Sequence, residues 1–383
     1  MGANVEILKT QAKLMKEYYK YFSKYSKGKE PDKKVAWVTA FTPVEILDAL
    51  DISYYYPESY AAVIAASGKE QDFLETSQRD GLSLDCCSYS CWIQGSICNA
   101  DGPRGTAPRP DVLIATNNQC NTLPNWWNIL AERYDVPLIV LDYPGESVPR
   151  EMSEKYVYNQ HKKLIEQMEE LSGNKLDMAI LEEKISNSQK SVEAWEKIVE
   201  LMPERQIEPT LLFDGISFLI TSRCNEKTSR LYELLAEDYS VNYPKRQEGK
   251  AKAFWLGYPL WYHENRYLKE SLDSFEIVGS NYVTWWSLSY EGEDVFEKLF
   301  SAYNFTFLNL SQQERTKRLM HLIEKSGAKC AITLHNKSCK CDFVSASEIT
   351  IPQVELDIDM IDRNYMDMDR AKEQISILQD IVG

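Results

Sequence analysis

Two doubly wound parallel α/β sheet domains with a helical segment between them are the fold this sequence predicts, on three observations. Short apolar runs of strand length alternate with longer helical patterns over residues 34–142, and the alternation resumes over residues 253–381. Between them, from about Pro149 to Lys250, the pattern is almost wholly helical. At 383 residues the chain is also too long for one ordinary core. The expected division is an N-terminal α/β domain over 1–148, a connecting helical segment over 149–250 and a C-terminal α/β domain over 251–383.

Lys34 to Thr42 (KVAWVTAFT) reads as the first strand, and Pro43 at a first helical turn opens a helix through Leu50. Ile52 to Tyr56 is a short strand leading to one long helix over roughly Glu58 to Asp80. Asp111 to Asn117 (DVLIATN) is a buried strand, followed by a helix around PNWWNILAERYD and a closing strand at Val136 to Asp142. The heptad-like stripes of the middle segment, such as LEEKISNSQKSVEAWEKIVELM, read as helix packing. Strands return at Ala253 to Leu256, Glu276 to Gly279, Lys329 to Leu334 and Val354 to Asp357, and a helix over Met366 to Ile381 ends the pattern. No strong internal repeat stands out in the sequence.

Hydrophobic content of 44% and charged content of 26% are those of a globular protein. A net charge of −15 leaves no basic stripe to neutralise phosphates, which argues against nucleic acid. The first residues mix charges throughout and lack the apolar core of a signal peptide, and no apolar run approaches a membrane span, so a cytoplasmic protein is expected.

In a reducing cytosol, clustered cysteines point to metal or redox chemistry. Of nine cysteines, Cys120 and Cys339 each fall just after a strand, one in each α/β domain. Ligands of open α/β sheets bind beyond those strand ends, so a cleft between the domains would bring the two thiols together. Cys87, in GLSLDCCSYSCW, is a candidate third. Three thiolates from separate loops suit a cubane iron–sulfur cluster; zinc would more often show tight C-x2-C pairs, and ferredoxin-type runs are absent. Spacing alone leaves simple packing open for any one cysteine.

At these residues the chain resembles the 2-hydroxyacyl-CoA dehydratase / benzoyl-CoA reductase family, and is most similar to the α-type subunit of the (R)-2-hydroxyacyl-CoA dehydratases. The segments that carry the resemblance are VAWVTAFTPVEILDALDISYYYPESYAA, GLSLDCCSYS, RPDVLIATNNQCN, DVPLIVLDYP, LHNKSCK and LDIDMIDRNYMDMDRAKEQI. It implies a [4Fe–4S] cluster on Cys87, Cys120 and Cys339, with Glu58 of the Y-P-E stretch as the proton-handling group near an acyl-CoA substrate. It also implies a heterodimer with a related subunit, an oxygen-sensitive site, and a separate ATP-dependent activator that injects one electron. The implied reaction removes water from a 2-hydroxyacyl-CoA through a ketyl radical. Reduction of an aromatic or enoyl thioester is the alternative on the same scaffold, and a non-catalytic electron relay is a third reading.

Three positions depart from the pattern. Ala40 stands where a serine is usual, Cys91 where an arginine follows the first cysteine, and Lys337 where an arginine precedes Ser338; lysine and cysteine do not reproduce the bidentate guanidinium. Cys86, Cys91 and Cys341 lie close enough in sequence to join the cluster. Cys98, Cys224 and Cys330 read as packing residues. Glu58 also reads as a helix N-terminal acid favoured by the dipole. His335 is the histidine nearest the site, expected in a supporting place. Trp126, Trp127, Trp261, Trp285 and Trp286 fit either aromatic core or an apolar acyl pocket.

Overall fold

A computed structural model describes residues 2–25, 32–68, 70–83, 85–246, 249–262, 272–337, 339 and 348–383. Two four-stranded parallel sheets carry the fold. The first contains β1 (Val35–Val38), β2 (Ser53–Tyr55), β3 (Val112–Thr116) and β4 (Leu138–Leu141), in the order β2-β1-β3-β4. The second contains β5 (Ala251–Leu256), β6 (Phe275–Ser280), β7 (Cys330–Asn336) and β8 (Gln353–Ile358), in the order β6-β5-β7-β8. Every pairing is parallel. The near-continuous apolar runs follow from this, because a parallel strand is covered on both faces; VAWV and VLIAT are buried at every position.

The second sheet repeats the strand order of the first, a repeat of topology that leaves no strong trace in the residues. In each, the chain direction across the sheet reverses between the first and third strands. Such a switch point leaves a crevice beyond the carboxyl ends, where α/β sheets bind ligands.

The helices are α1 (Gly2–Tyr25), α2 (Val44–Ala49), α3 (Pro57–Ser67), α4 (Glu70–Arg79), α5 (Ser88–Asn99), α6 (Thr122–Tyr134), α7 (Arg150–Ser172), α8 (Met178–Glu200), α9 (Pro209–Thr221) and α10 (Glu226–Asn242). Beyond β6 come α11 (Asn281–Thr284), α12 (Val295–Asn304), α13 (Gln312–Ser326) and α14 (Met368–Val382). The single helix expected from Glu58 to Asp80 is two, α3 and α4. Gly68 ends the first with φ of 72°, a left-handed cap from which the helix cannot continue. Helix α5 packs so closely on α4 that a Cβ on Gly95 would stand 1.9 Å from the Phe73 carbonyl oxygen.

The helical middle is more than a connector. Trp195 of α8 donates its Nε1–H to the Val283 carbonyl of α11 at 2.8 Å, and α8 also packs on α2. One apolar core runs continuously through both sheets and these helices. At its centre lies a buried ion pair, Glu45 with Arg223 at 3.3 Å. Ser188, Tyr290 and Tyr303 donate hydroxyl hydrogen bonds to the Glu45 carboxylate at 2.6, 2.7 and 2.7 Å. Burial opposes ionisation of Glu45, but the guanidinium and those hydroxyls outweigh it and hold its pKa below the ordinary value.

Candidate functional site

The segments after β1, β3 and β7 meet the N-terminus of α5 near Glu58. The turn after β1 carries Ala40, fixed from below by threonines: the Thr39 hydroxyl lies 2.9 Å from that of Thr116 and 3.1 Å from that of Thr42. Arg223 donates from Nη2 to the Thr42 carbonyl at 2.7 Å, tying this turn to the buried ion pair. Its Ala40 N–H points at Glu58 and donates to Oε2 at 3.1 Å. Glu58 sits in the first turn of α3 because Pro57 opens that helix immediately after β2.

The loop after β3 supplies Gln119 and Cys120. Gln119 Nε2 donates to Glu58 Oε1 at 2.8 Å, so each carboxylate oxygen has a donor. Burial nevertheless dominates and pushes the Glu58 pKa up to about 7 against the Ala40 and Gln119 hydrogen bonds. Asn118 anchors the loop in the second half: its Nδ2 donates to the Tyr303 carbonyl at 2.8 Å, and its own carbonyl accepts from Thr306 Oγ1 at 2.9 Å.

Cys87 caps the N-terminus of α5, and the Ser90 hydroxyl donates to its carbonyl at 2.6 Å. Neighbouring Ser88 donates to Asp359 Oδ2, just past β8, at 2.5 Å. Two residues along, Tyr89 Oη accepts the Trp261 indole N–H at 2.7 Å. Cys339 arrives from the other side, beyond the end of β7.

These positions bring the three sequence-predicted cysteines into electrostatic contact. The Cys87 thiol is pushed well up by burial, then by Cys339 and Cys120. Cys120 is pushed up to about 12 by burial, then by Cys339 and Glu58. Each thiol thus opposes ionisation of the next, and Glu58 shares their neighbourhood. Among the described residues, no group of three His, Cys, Asp or Glu side chains could hold a single metal ion. Thiolates around a cubane bind different irons and stand farther apart than ligands around one ion; three half-buried thiols from three loops fit that wider arrangement.

The other cysteines differ in their surroundings. Cys91 is buried, with Sγ 3.6 Å from the Ser83 carbonyl oxygen, and its thiol senses Cys86 and Asp359. Cys224 and Cys330 are buried, as packing residues should be. Cys98 is not: it is exposed beside Arg133, since its place near the end of α5 faces outward. Cys341 lies outside the described residues.

Beside Glu58 opens a cavity of about 1030 Å³, lined by Ala40, Gln119 and Tyr89 together with Trp261, Trp285 and Trp286. The tryptophans therefore divide. Trp126 and Trp127 are core, with Trp127 Nε1 donating to the Trp37 carbonyl at 3.4 Å, whereas the other three line the cavity. His335 is exposed and paired with Glu355 at 2.6 Å. Lys337 lies 5.1 Å from the Tyr365 ring centroid. Sequence reasoning missed Gln119 and Asp359. The first is signalled only by adjacency to Cys120, and the second acts across 271 residues of chain.

Comparison with known proteins decides the family. A model of the 2-hydroxyglutaryl-CoA dehydratase D-component matches residues 39–378, nearly the whole chain. The chain belongs to that family. Its relatives include the lactoyl-CoA dehydratase α subunit of Anaerotignum propionicum, 28% identical with 86% of each chain covered. The (R)-2-hydroxyisocaproyl-CoA dehydratase α subunit of Clostridioides difficile is 29% identical, covering 82% of this chain and 79% of its own. The (R)-phenyllactyl-CoA dehydratase α subunit of Clostridium sporogenes is 27% identical, covering 88% and 87%. Among the described residues, no helix is long and apolar enough to cross a membrane.

Proposed function

We propose that this chain is the cluster-bearing subunit of an iron–sulfur (R)-2-hydroxyacyl-CoA dehydratase, a hydro-lyase. Cys87, Cys120 and Cys339 hold a [4Fe–4S] cluster, and Glu58 handles the proton. The observation that carries the reading is the meeting of three thiols from both sheets beside a buried carboxylate, at the wall of a cavity large enough for an acyl thioester. When bound, the cluster supplies one-electron chemistry and, with three protein ligands, an iron with an open position.

The chain's own residues do the rest. The turn after β1 and Gln119 fix both oxygens of Glu58, so the carboxyl group presents one geometry to the substrate. Loss of water requires the β-hydrogen to leave as a proton and the α-hydroxyl to leave as hydroxide. A carboxyl group balanced near neutrality both accepts and returns a proton, which suits it to that exchange. The tryptophan-rich wall keeps bulk water from the reacting carbons.

The partners proposed are a related second subunit and an ATP-dependent activator that delivers the electron. Anaerobic iron and sulfide analysis tests the ligands. Alanine at Cys87, Cys120 or Cys339 is expected to lose most of both elements, and Cys224→Ala to keep them; full cluster content in Cys120→Ala would refute the assignment. Incubating the protein and its activator with hydroxyacyl and with aromatic thioesters distinguishes water loss from reduction, the alternative chemistry of the scaffold.

A further inference from the structure

The two ends of the cavity differ in character. Towards solvent it is edged by the exposed Lys250 and the half-buried Arg246. Both cations are engaged: Arg246 lies 3.6 Å from Glu276 and donates to the Met202 and Ile277 carbonyls, and Lys250 lies 3.7 Å from Asp273. At the Glu58 end the wall is aromatic. Phe41, directly after Ala40, stacks on Trp286 with centroids 4.9 Å apart and planes at 26°. Trp285 and Tyr282 continue that surface, edge to face at 5.2 Å. Among the described residues the lining carries five carboxylates (Glu58, Glu208, Asp214, Asp273 and Glu276) against those two cations.

From this distribution we infer that the acyl group taken by this site is uncharged and bulky, branched aliphatic or aromatic, and that the stacked Phe41–Trp286 pair is its specificity determinant. The inference rests on the acyl-CoA reading above and narrows it. A thioester entering acyl-first leaves its anionic nucleotide end at the solvent side and places the far end of the acyl chain against the stack. Among the described residues, a second carboxylate on that chain, as in a glutaryl group, would meet Glu58 and an aromatic wall. Burying an unpaired carboxylate is strongly unfavourable, whereas an isobutyl or phenyl group there gains apolar contact with the aromatic lining.

The test is calorimetric titration of the anaerobically purified full-length chain with four thioesters: (R)-lactoyl-CoA, (R)-2-hydroxyisocaproyl-CoA, (R)-phenyllactyl-CoA and (R)-2-hydroxyglutaryl-CoA. The isocaproyl and phenyllactyl compounds are expected to bind at least about tenfold more tightly than the glutaryl one, a difference of about 1.4 kcal/mol or more. Trp286→Ala should weaken phenyllactyl-CoA at least about tenfold while leaving lactoyl-CoA within about threefold, since a methyl group does not reach the stack; Trp286→Phe should restore most of the loss. If glutaryl-CoA binds as tightly as the neutral bulky thioesters, this inference falls and the acyl-CoA reading survives. If none of the four binds, the acyl-CoA reading falls and takes the inference with it. Should Trp286→Ala fail to fold, the comparison on the unaltered chain decides alone.

Discussion

Removing the cation from the buried Glu45–Arg223 pair is a demanding test of how this molecule is held together. In Arg223→Met, the Thr42 and Ile220 carbonyls lose donors now at 2.7 and 3.2 Å, and Glu45 loses its counter-charge. Breaking a buried pair from one side costs about 3–5 kcal/mol, since the remaining charge stays desolvated. Three hydroxyls still donate to the carboxylate, so the lower part of that range is expected. With the guanidinium gone, burial is the dominant influence left, and the folded-state pKa of Glu45 moves above its unfolded value. A group raised in this way contributes stability that is present at low pH and lost as pH climbs through the raised value. The penalty of Arg223→Met should therefore be smaller at pH 5 than at pH 8, after subtracting the change seen in the unaltered protein. Urea unfolding followed by tryptophan fluorescence measures it, and a cycle with Glu45→Gln supplies the control. The double variant should be less destabilised than the sum of the singles by about 2 kcal/mol. Strict additivity, or a penalty that does not change with pH, would refute the reasoning.

Three further outcomes follow from particular contacts. Glu58→Gln keeps the shape of the side chain but cannot exchange a proton, so turnover should fall by about a hundredfold or more while thioester binding stays nearly unchanged, read by steady-state rates against titration. His161 is buried against the Tyr143 hydroxyl at 2.9 Å, and burial lowers its pKa to about 4. The unfolded chain then binds the extra proton first, so stability should be lost as pH falls from about 6.5 towards 4, by up to about 3 kcal/mol, and His161→Gln should flatten that loss in acid urea titrations. Gly95→Ala forces a methyl into the Phe73 carbonyl and should destabilise by about 2 kcal/mol or more; an unchanged melting curve would mean that α4 and α5 are not packed as described.

The strands were the most legible part of this chain. Runs such as VAWV and VLIA are apolar at every position because a parallel sheet buries both faces, and turn residues bracket them. Helix boundaries were less so. Gly68 was visible, but an isolated glycine is compatible with a continuing helix until its left-handed backbone is seen. Helix α5 was hidden by composition: SYSCWIQGSICN is rich in serine, cysteine and glycine, which are weak helix formers, and tertiary packing on α4 holds it. At the site, Cys120 and Cys339 followed from strand-end logic and Cys87 and Glu58 from motifs. Arg223, Asp359 and Gln119 did not, because each acts on a partner far away in sequence, and no local pattern encodes that.

The contacts around the cysteine loops also constrain how anything enters or leaves. Many two-domain α/β proteins admit ligand by swinging apart on a hinge. Here Ser88 is fastened to Asp359, Asn118 to Tyr303 and Thr306, and the Glu45 carboxylate to side chains on four helical or loop segments. A clamshell opening would break these bonds together and part the thiols from one another. The cavity between α9 and the second sheet reaches Glu58 with all of these bonds in place.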